Sequence, residues 1–204
     1  MPSLLAITSS PRGDQSVSNN LVRTFVDAWK QAHAGGNVKT RDLQATDLPF
    51  INPAWMGGAY TPAEQHSPEM KQAIAISDEL IAELKAADHI LLGTSMYNFN
   101  TPAIVKAWID HVVRLNQTFT PSYEGLLKGK KATVIIASGG LYTPGAPAEG
   151  YNSESSYLKQ ILGFIGLETQ ILLAGGSQAI NTGQTTLPDL LRQFEPEVQK
   201  AAQQ

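Results

Sequence analysis

The feature that most constrains the fold is an alternation of short apolar runs with longer segments whose apolar residues recur at helical spacing. The runs short enough to be buried strands are residues 4–7, 38–43, 89–95, 132–137 and 168–174. Apolar strands separated by helices favour a parallel sheet with helices on both faces. Right-handed crossovers restrict such a chain to the doubly wound α/β class, for which we expect a five-stranded sheet with strand order 2-1-3-4-5.

The segments between these runs predict five helices and one long connection. We expect a helix from Asn19 with Ser18 as its N-cap, and a helix after Thr101 and Pro102. The other predicted helices are residues 69–86, 157–165 and 187–202. Residues 44–67 carry three prolines and a Gly pair, and they predict a structureless connection with exposed Trp55 and Tyr60. A structureless connection of this length is unusual in a compact domain, so the segment is either functional or contains an element that the pattern does not reveal.

Composition excludes several classes of function. The 204 residues carry a net charge of −3, which gives no general attraction to nucleic acid or to anionic lipid. Cys is absent, so disulfides, thiolate catalysis and Cys-ligated metals are excluded. The chain starts without a basic region and has no apolar run long enough for a membrane helix. We therefore expect one cytoplasmic domain spanning residues 1–204.

Three loops follow predicted strands and carry the residues of chemical interest. After the first strand, Ser10, Ser16 and Ser18 lie with the cation Arg12 at the start of a helix, which suits a monophosphate. After the third strand, residues 96–99 offer flat apolar side chains beside backbone donors. After the fourth, residues 138–140 let backbone N–H groups approach a ligand closely. In the predicted order the first and third strands are neighbours, so their loops should face each other.

Other sites are poorly supported by the residues. The serine loop matches neither the dinucleotide fingerprint nor the triphosphate loop. No histidine lies beside an obvious nucleophile, and residues 93–97 lack the second Gly of a nucleophile elbow. We therefore expect His33, His66, His89 and His111 to be surface or structural residues, and we expect no metal site. Capping serines and ordinary strand-end turns remain the alternative interpretation of the three loops.

Several motifs together resemble one family along nearly the whole chain. They are Met96-Tyr97-Asn98-Phe99-Asn100, the Ser9-Ser10 loop with Ser16-Val17-Ser18-Asn19, residues 163–166, residues 80–85, and Gly125-Leu126 with residues 129–131. This set is similar to the FMN-dependent NADH:quinone oxidoreductases, the bacterial azoreductases. The resemblance implies a flavodoxin-like three-layer doubly wound sandwich that binds FMN.

The resemblance also implies which residues contact the cofactor. Ser10, Ser16, Val17 and Ser18 correspond to the residues that hold the FMN phosphate. Met96, Tyr97, Asn98 and Phe99 correspond to the segment along the isoalloxazine ring, and Ala137, Ser138, Gly139 and Gly140 to the segment at its pyrimidine edge. This chain departs from the family at Ser95, where Pro is usual, and at residues 137–140, where Ser-Arg-Gly-Gly is usual.

The activity implied by the resemblance is a two-electron, ping-pong transfer. NADH or NADPH delivers a hydride to flavin N5, and quinones or aromatic azo compounds then accept the electrons, so no catalytic side chain is required. Flat substrates need an apolar aromatic surface, for which the candidates are Trp55, Tyr60, Phe99, Phe119, Tyr123 and Tyr142. The resemblance further implies a homodimer in which residues 44–67 cover the partner's flavin. A flavodoxin-like electron carrier or a flavin sensor is the alternative.

Overall fold

The loops of interest lie at the carboxyl ends of the strands of one sheet, and these strands are short. In the computed structural model, which describes all residues 1–204, the strands are β1 (Ser3–Thr8), β2 (Asn37–Asp42), β3 (His89–Ser95), β4 (Lys131–Ala137) and β5 (Glu168–Ala174). All neighbouring pairs are parallel, and their order is β2-β1-β3-β4-β5. The predicted strand order is therefore confirmed.

Seven helices connect and follow the strands. They are α1 (Val17–Ala32), α2 (Pro53–Tyr60), α3 (Pro68–Ala86), α4 (Ala103–Val112), α5 (Ser153–Phe164), α6 (Gln178–Asn181) and α7 (Leu187–Ala202). The last helix begins and ends as predicted. None of the helices is both long enough and apolar enough to cross a bilayer.

Both faces of the sheet are buried, which confirms the three-layer architecture. Alternate residues of β3 show how this arises: Ile90 and Leu92 pack into the core formed with α3, α4 and α5. Leu91 points to the opposite face and packs with Phe25 and Trp29 of α1 and with residues of α7. Because side chains alternate along a strand, a run that is apolar at every position supplies both cores.

The edge strand β2 is polar, unlike the central strands. Its Arg41 forms ion pairs with Glu79 and Glu83 of α3, and Lys39 pairs with the same Glu83 at 3.0 Å. Glu83 itself is buried. The exposed edge of the sheet is thus occupied by charged side chains that are held against α3.

The prediction of a structureless connection over residues 44–67 is wrong, because α2 lies within it. Asn52 caps the helix by accepting from the N–H of Trp55, and Pro53 occupies the first turn, where its missing N–H costs nothing. Gly58 lets α2 approach α3 closely, since a Cβ there would lie 3.0 Å from the Met70 carbonyl oxygen. The Pro and Gly residues that suggested a loop are the residues that start this helix and pack it.

Some predicted helix limits are also corrected. Helix α1 begins at Val17, two residues before the predicted start, and its N-cap is Ser16 rather than Ser18. Helix α5 begins at Ser153, four residues before the predicted start, and is capped by Asn152. In both helices the first turn is rich in polar residues, namely residues 18–20 of α1 and 153–156 of α5, so the regular apolar spacing starts later than the helix does. The four-residue α6 was not predicted.

Gly93 in the middle of β3 allows α1 to pack directly on the sheet. A Cβ at this position would collide with Cγ2 of Val22 and would lie 3.4 Å from the carbonyl oxygen of Ser18. Both neighbours belong to α1, whose N-terminal end lies at the edge of the sheet where the three loops meet. The missing side chain thus sets how closely that helix start approaches β3.

We expect Gly93→Ala to lower the free energy of unfolding by about 1–3 kcal/mol, because an added methyl group in a close-packed contact forces α1 to move. Chemical denaturation measures the change. Gly163→Ala is the control, because its Cβ would meet nothing within 4 Å, so a helix former in α5 should be neutral or stabilising. Equal stability of Gly93→Ala and the wild type would contradict the packing argument.

Candidate active site

The carboxyl ends of β1 and β3 form the centre of the site. Ser9 directly follows β1, and its Oγ donates to the carbonyl oxygen of Gly93 in β3 at 2.9 Å. Beyond it, the hydroxyls of Ser18 and Ser95 are 3.4 Å apart. The loops after the first and third strands therefore face each other, as the strand order predicts for a topological switch point.

The start of α1 presents hydrogen-bond donors to this junction. Ser16 Oγ accepts from the N–H of Asn19 at 3.1 Å and lies 3.2 Å from Ser18 Oγ. Val17 and Ser18 are the first helical residues, so their N–H groups have no intrahelical acceptor. Together with the positive end of the helix dipole and the nearby cation of Arg12, these groups form an anion site.

Residues Tyr97–Asn100 form a narrow turn at the end of β3. The N–H and C=O groups of Tyr97 and Asn100 exchange two hydrogen bonds of 2.9 and 3.0 Å. Asn98 and Phe99 between them have φ of 51° and 67°. Positive φ at both central residues is the conformation of a type I′ turn, in which Gly is the usual second residue. Phe99 is therefore strained, as is common for residues at functional sites.

The turn is held from the side of α5. The carbonyl oxygen of Phe99 accepts from the N–H of Ser153 at 3.1 Å. The Phe99 ring stacks on Tyr151 with centroids 5.1 Å apart and meets Tyr142 edge-on at 6.2 Å. These contacts offset the unfavourable backbone conformation of Phe99 and fix the position of an exposed aromatic cluster.

The loop after β4 is supported by the loop after β5. Gly176, Ser177 and Gln178 donate backbone hydrogen bonds to Gly140, Ser138 and Gly139, at 3.0 to 3.2 Å. All three carbonyl groups of the β4 loop are thereby occupied. The N–H groups of Gly139 and Gly140 have no acceptor within the chain, so they are free to bind a ligand.

These loops enclose a cleft of about 90 Å³. The predicted residues that line it come from all three loops: Ser10, Ser16, Val17, Met96, Tyr97, Ala137, Ser138 and Gly139. Ser18 is buried beneath the cleft, and Asn98, Phe99 and Gly140 do not line it. The lining also includes Arg12, Ser95 and Ser177, which were not among the predicted contacts. Ser177 follows Gly175 and Gly176 directly after β5, so the strand-end argument could have found it.

Ser95 extends the β3–β4 pairing to the edge of the cleft. It pairs with Ala137, and the N–H of the next residue, Met96, donates to the Ala137 carbonyl oxygen at 2.8 Å. Since Ser95 follows Thr94 on the strand, the two side chains point to opposite faces. Ser95 points toward α1 and Thr94 toward α5.

The predicted substrate-stacking residues do not share one environment. Trp55, expected to be exposed, is only 6% exposed, and its indole N–H donates to Nδ1 of His111 at 3.1 Å. Trp55 belongs to α2 and its ring packs against His111 of α4, so the prediction of an exposed ring is wrong. Tyr60 and Tyr123 are 67% and 76% exposed. Phe119 packs on Phe164 at 4.9 Å, and Tyr142 belongs to the cluster around Phe99.

The histidines have structural partners, as predicted. His111 is buried, and its Nε2 lies 2.8 Å from the Pro49 carbonyl oxygen. His89 contacts Thr133 Oγ1 at 2.9 Å, and burial lowers its pKa to about 4. His33 stacks on Trp29, and His66 contacts the Thr61 carbonyl oxygen. None of them lies at the cleft.

One strongly perturbed acid lies behind the turn. Burial raises the pKa of Glu154 in α5 to about 8, while hydroxyls of Thr94 and Thr101 act in the opposite direction. The cleft itself combines neutral hydroxyls, backbone donors, one Arg and flat apolar side chains. Such a site suits a planar ligand with a phosphate on a short tail.

Comparison with known proteins agrees with this fold. Residues 2–196 match a family model described as Flavodoxin-like fold. An FMN-dependent NADH:quinone oxidoreductase from Jannaschia sp. is 48% identical over 204 residues, which is 100% of both chains. A second such protein, from Burkholderia lata, is 45% identical over 99% of this chain and 97% of its own length. The crystal structure of an FMN-dependent NADH-azoreductase from Bacillus anthracis in complex with FMN superposes with a TM-score of 0.85 at 25% identity, covering 98% of this chain and 97% of that one.

Proposed function

We propose, from the premise that this chain belongs to the flavodoxin-like family of FMN-dependent NADH:quinone oxidoreductases, that it reduces quinones and aromatic azo compounds with NADH. The observation that carries the proposal is the junction of three strand-end loops in one cleft, in a chain that matches its relatives along its whole length. The protein is an oxidoreductase with FMN as cofactor and NADH as electron donor.

The cleft of about 90 Å³ has room for only part of FMN, and its residues fit the phosphate end of the cofactor. Ser10, Ser16, the first N–H groups of α1 and the guanidinium of Arg12 would hold the phosphate. Phosphate bound to such a set exchanges water for charge-assisted hydrogen bonds.

The ring would lie against Met96 and the turn that follows it. The free N–H groups of Gly139 and Gly140 suit the carbonyl oxygens of a pyrimidine edge, and they need no side chain for this contact. The arginine that is usual in the family's corresponding loop is replaced by Ser138, whose Oγ donates to the Gly140 carbonyl oxygen at 2.9 Å. Ser138 thus supports the loop from within.

When bound, FMN supplies the redox chemistry by accepting a hydride at N5 and returning two electrons to a second substrate. The residues of this chain bind and orient the cofactor and the substrates and exclude water, and none of them carries the hydride. Tyr97 and Phe99 are about half exposed and offer flat surface for an aromatic substrate. Reducing one quinone takes one NADH and one proton, whereas cleaving an azo bond to two amines takes two of each.

A homodimer is the assembly we propose. Helix α2 packs on α3 with one side, and its other side exposes Met56 and Tyr60; Phe50, which precedes the helix in the sequence, is also exposed. Exposed apolar groups of this size on one element are typical of an interface. The face of α2 would then cover the substrate side of the partner's flavin. Since NADH is a metabolite of the cell interior, we place the reaction in the cytoplasm.

We expect Ser16→Ala to weaken FMN binding by about tenfold to a hundredfold, because a hydrogen bond to a charged phosphate is worth about 1.5–3 kcal/mol. Ser67→Ala is the matched control, since Ser67 caps α3 in the same way but lies outside the cleft. Each variant should lose about 1 kcal/mol of stability through its cap. Riboflavin, which has no phosphate, should bind to both variants equally. Equal FMN affinity of the two variants would contradict the phosphate assignment.

We expect the purified protein to show a flavin spectrum that NADH bleaches within seconds and a benzoquinone restores. Stopped-flow absorbance measures both half-reactions separately. Parallel double-reciprocal lines should follow, because the same surface serves both substrates in turn. A protein that binds FMN but is not reduced by NADH would be an electron carrier or a sensor. A colourless protein that FMN cannot reconstitute would contradict the proposed function.

We expect the double variant Phe50→Ser, Tyr60→Ser to dissociate into monomers, because it removes two exposed aromatic rings, one from the end of α2 and one from the segment before it. Sedimentation velocity measures the change against the wild-type dimer. Gln199→Ser on the exposed side of α7 is the control and should sediment as the wild type does. A fully active monomeric wild type would rule out the assembly.

A further inference from the structure

Glu154 is the most deeply buried carboxylic acid behind the cleft. It is the second residue of α5 and its side chain has no exposed surface. Its Oε1 accepts from Thr94 Oγ1 at 3.2 Å, and Thr94 is the last fully buried residue of β3. The carboxyl therefore joins the helix start to the strand that leads into the Tyr97–Asn100 turn.

One oxygen of this carboxyl and hydroxyls of two residues close to it in the sequence or the fold are without hydrogen-bond partners. Five buried side-chain oxygen or nitrogen atoms in the chain have no hydrogen-bond partner, and three belong to Glu154, Thr101 and Ser155. Thr101 follows the turn directly, so its hydroxyl and that of Thr94 flank the turn segment at its two ends. The Thr101 hydroxyl influences the carboxyl without forming a hydrogen bond of good geometry to it.

The environment favours the neutral form of the acid. Burial raises the pKa of Glu154 to about 8, opposed only by the hydroxyls of Thr94 and Thr101. No charged group contributes to the shift, although α4 carries Lys106 and Asp110 and α5 carries Lys159. A neutral carboxyl has one O–H donor, and Thr101 Oγ1 is an unpartnered acceptor on the same side.

The same helix start holds the turn through its backbone. The N–H of Ser153, adjacent to Glu154, donates to the Phe99 carbonyl oxygen at 3.1 Å. A displacement of the first turn of α5 would thus move Phe99, the residue with the strained backbone, directly. Charge on Glu154 would cause such a displacement, because an unpaired buried carboxylate must gain water or leave its site.

We propose that Glu154 is a positioning residue for the flavin-facing turn, its protonated carboxyl joining Thr94 and Thr101, on either side of that turn, to the start of α5. The turn is held while the acid is neutral and loosens when it ionises. The contribution to stability is complete below the pKa of the unfolded state, near 4.5, and declines as the pH rises toward 8. The link to FMN rests on the function proposed above.

The first measurement is FMN affinity of the wild type and of Glu154→Gln at pH 7 and pH 9, by quenching of flavin fluorescence. If only the neutral form holds the turn, about one molecule in eleven has the neutral acid at pH 9, compared with about ten in eleven at pH 7. The FMN affinity of the wild type should therefore fall about tenfold between the two pH values. Glu154→Gln is neutral at both pH values and should show no such fall. Glu168→Gln, at an exposed position of β5, should behave as the wild type does.

A second variant keeps the test decisive if changes at Glu154 prevent folding. The Thr94 hydroxyl stabilises the ionised carboxyl, so Thr94→Val should move the midpoint of the affinity loss to higher pH. If Glu154 merely filled the core, Thr94→Val would not shift this midpoint. An unchanged midpoint, or the same pH dependence in Glu154→Gln and the wild type, would overturn the proposal.

The two proposals fail in different ways. A wild type that binds no FMN at any pH would refute the proposed function and leave Glu154 to be tested in the apoprotein. There, hydrogen-exchange protection of residues 96–100 should fall between pH 7 and pH 9 in the wild type and not in Glu154→Gln. Equal protection of the turn in both proteins at both pH values would overturn the positioning role alone.

Discussion

The pairing of β1 with β3 is the contact on which the site depends. It places two chain segments about 85 residues apart in sequence side by side at the carboxyl edge of the sheet, where Ser9 binds the Gly93 carbonyl group. The helix after β1 then crosses Gly93, and its N-terminal donors face the turn that follows β3. Without this neighbour relation the serine loop and the aromatic turn would not meet.

The aromatic turn illustrates how local strain is maintained by the surrounding structure. Phe99 has a backbone conformation that favours Gly, and it retains this conformation because α5 binds its carbonyl group and Tyr151 stacks on its ring. The start of α5 thus supports the turn beside the cleft, although it contributes no residue to the lining of the cleft. Within residues 151–155, an aromatic ring, a backbone N–H group and a carboxyl group all contact the end of β3 or the turn that follows it.

Where a pattern repeats along the chain, the sequence predicts the fold closely. The limits of β5 and α7 agree with the structure, and the strand order follows from chirality and from the apolar runs. The prediction of secondary structure failed where a residue type is compatible with both a loop and a helix. Pro53 and Gly58 suggested a loop, yet Pro is favoured in a first helical turn and Gly permits close helix packing, so α2 was missed. Burial of Trp55 and the positive φ of Phe99 depend on tertiary contacts that no local pattern contains.

The charged edge strand has a consequence for how copies of this molecule associate. Open sheet edges are templates for pairing with another strand, and proteins commonly protect them with charged side chains. On β2, Arg41 and Lys39 are held against Glu83, so a strand from a second chain would have to displace an ion-pair network before it could pair. Growth of the sheet by edge-to-edge addition, which leads to fibrils, is therefore opposed at β2.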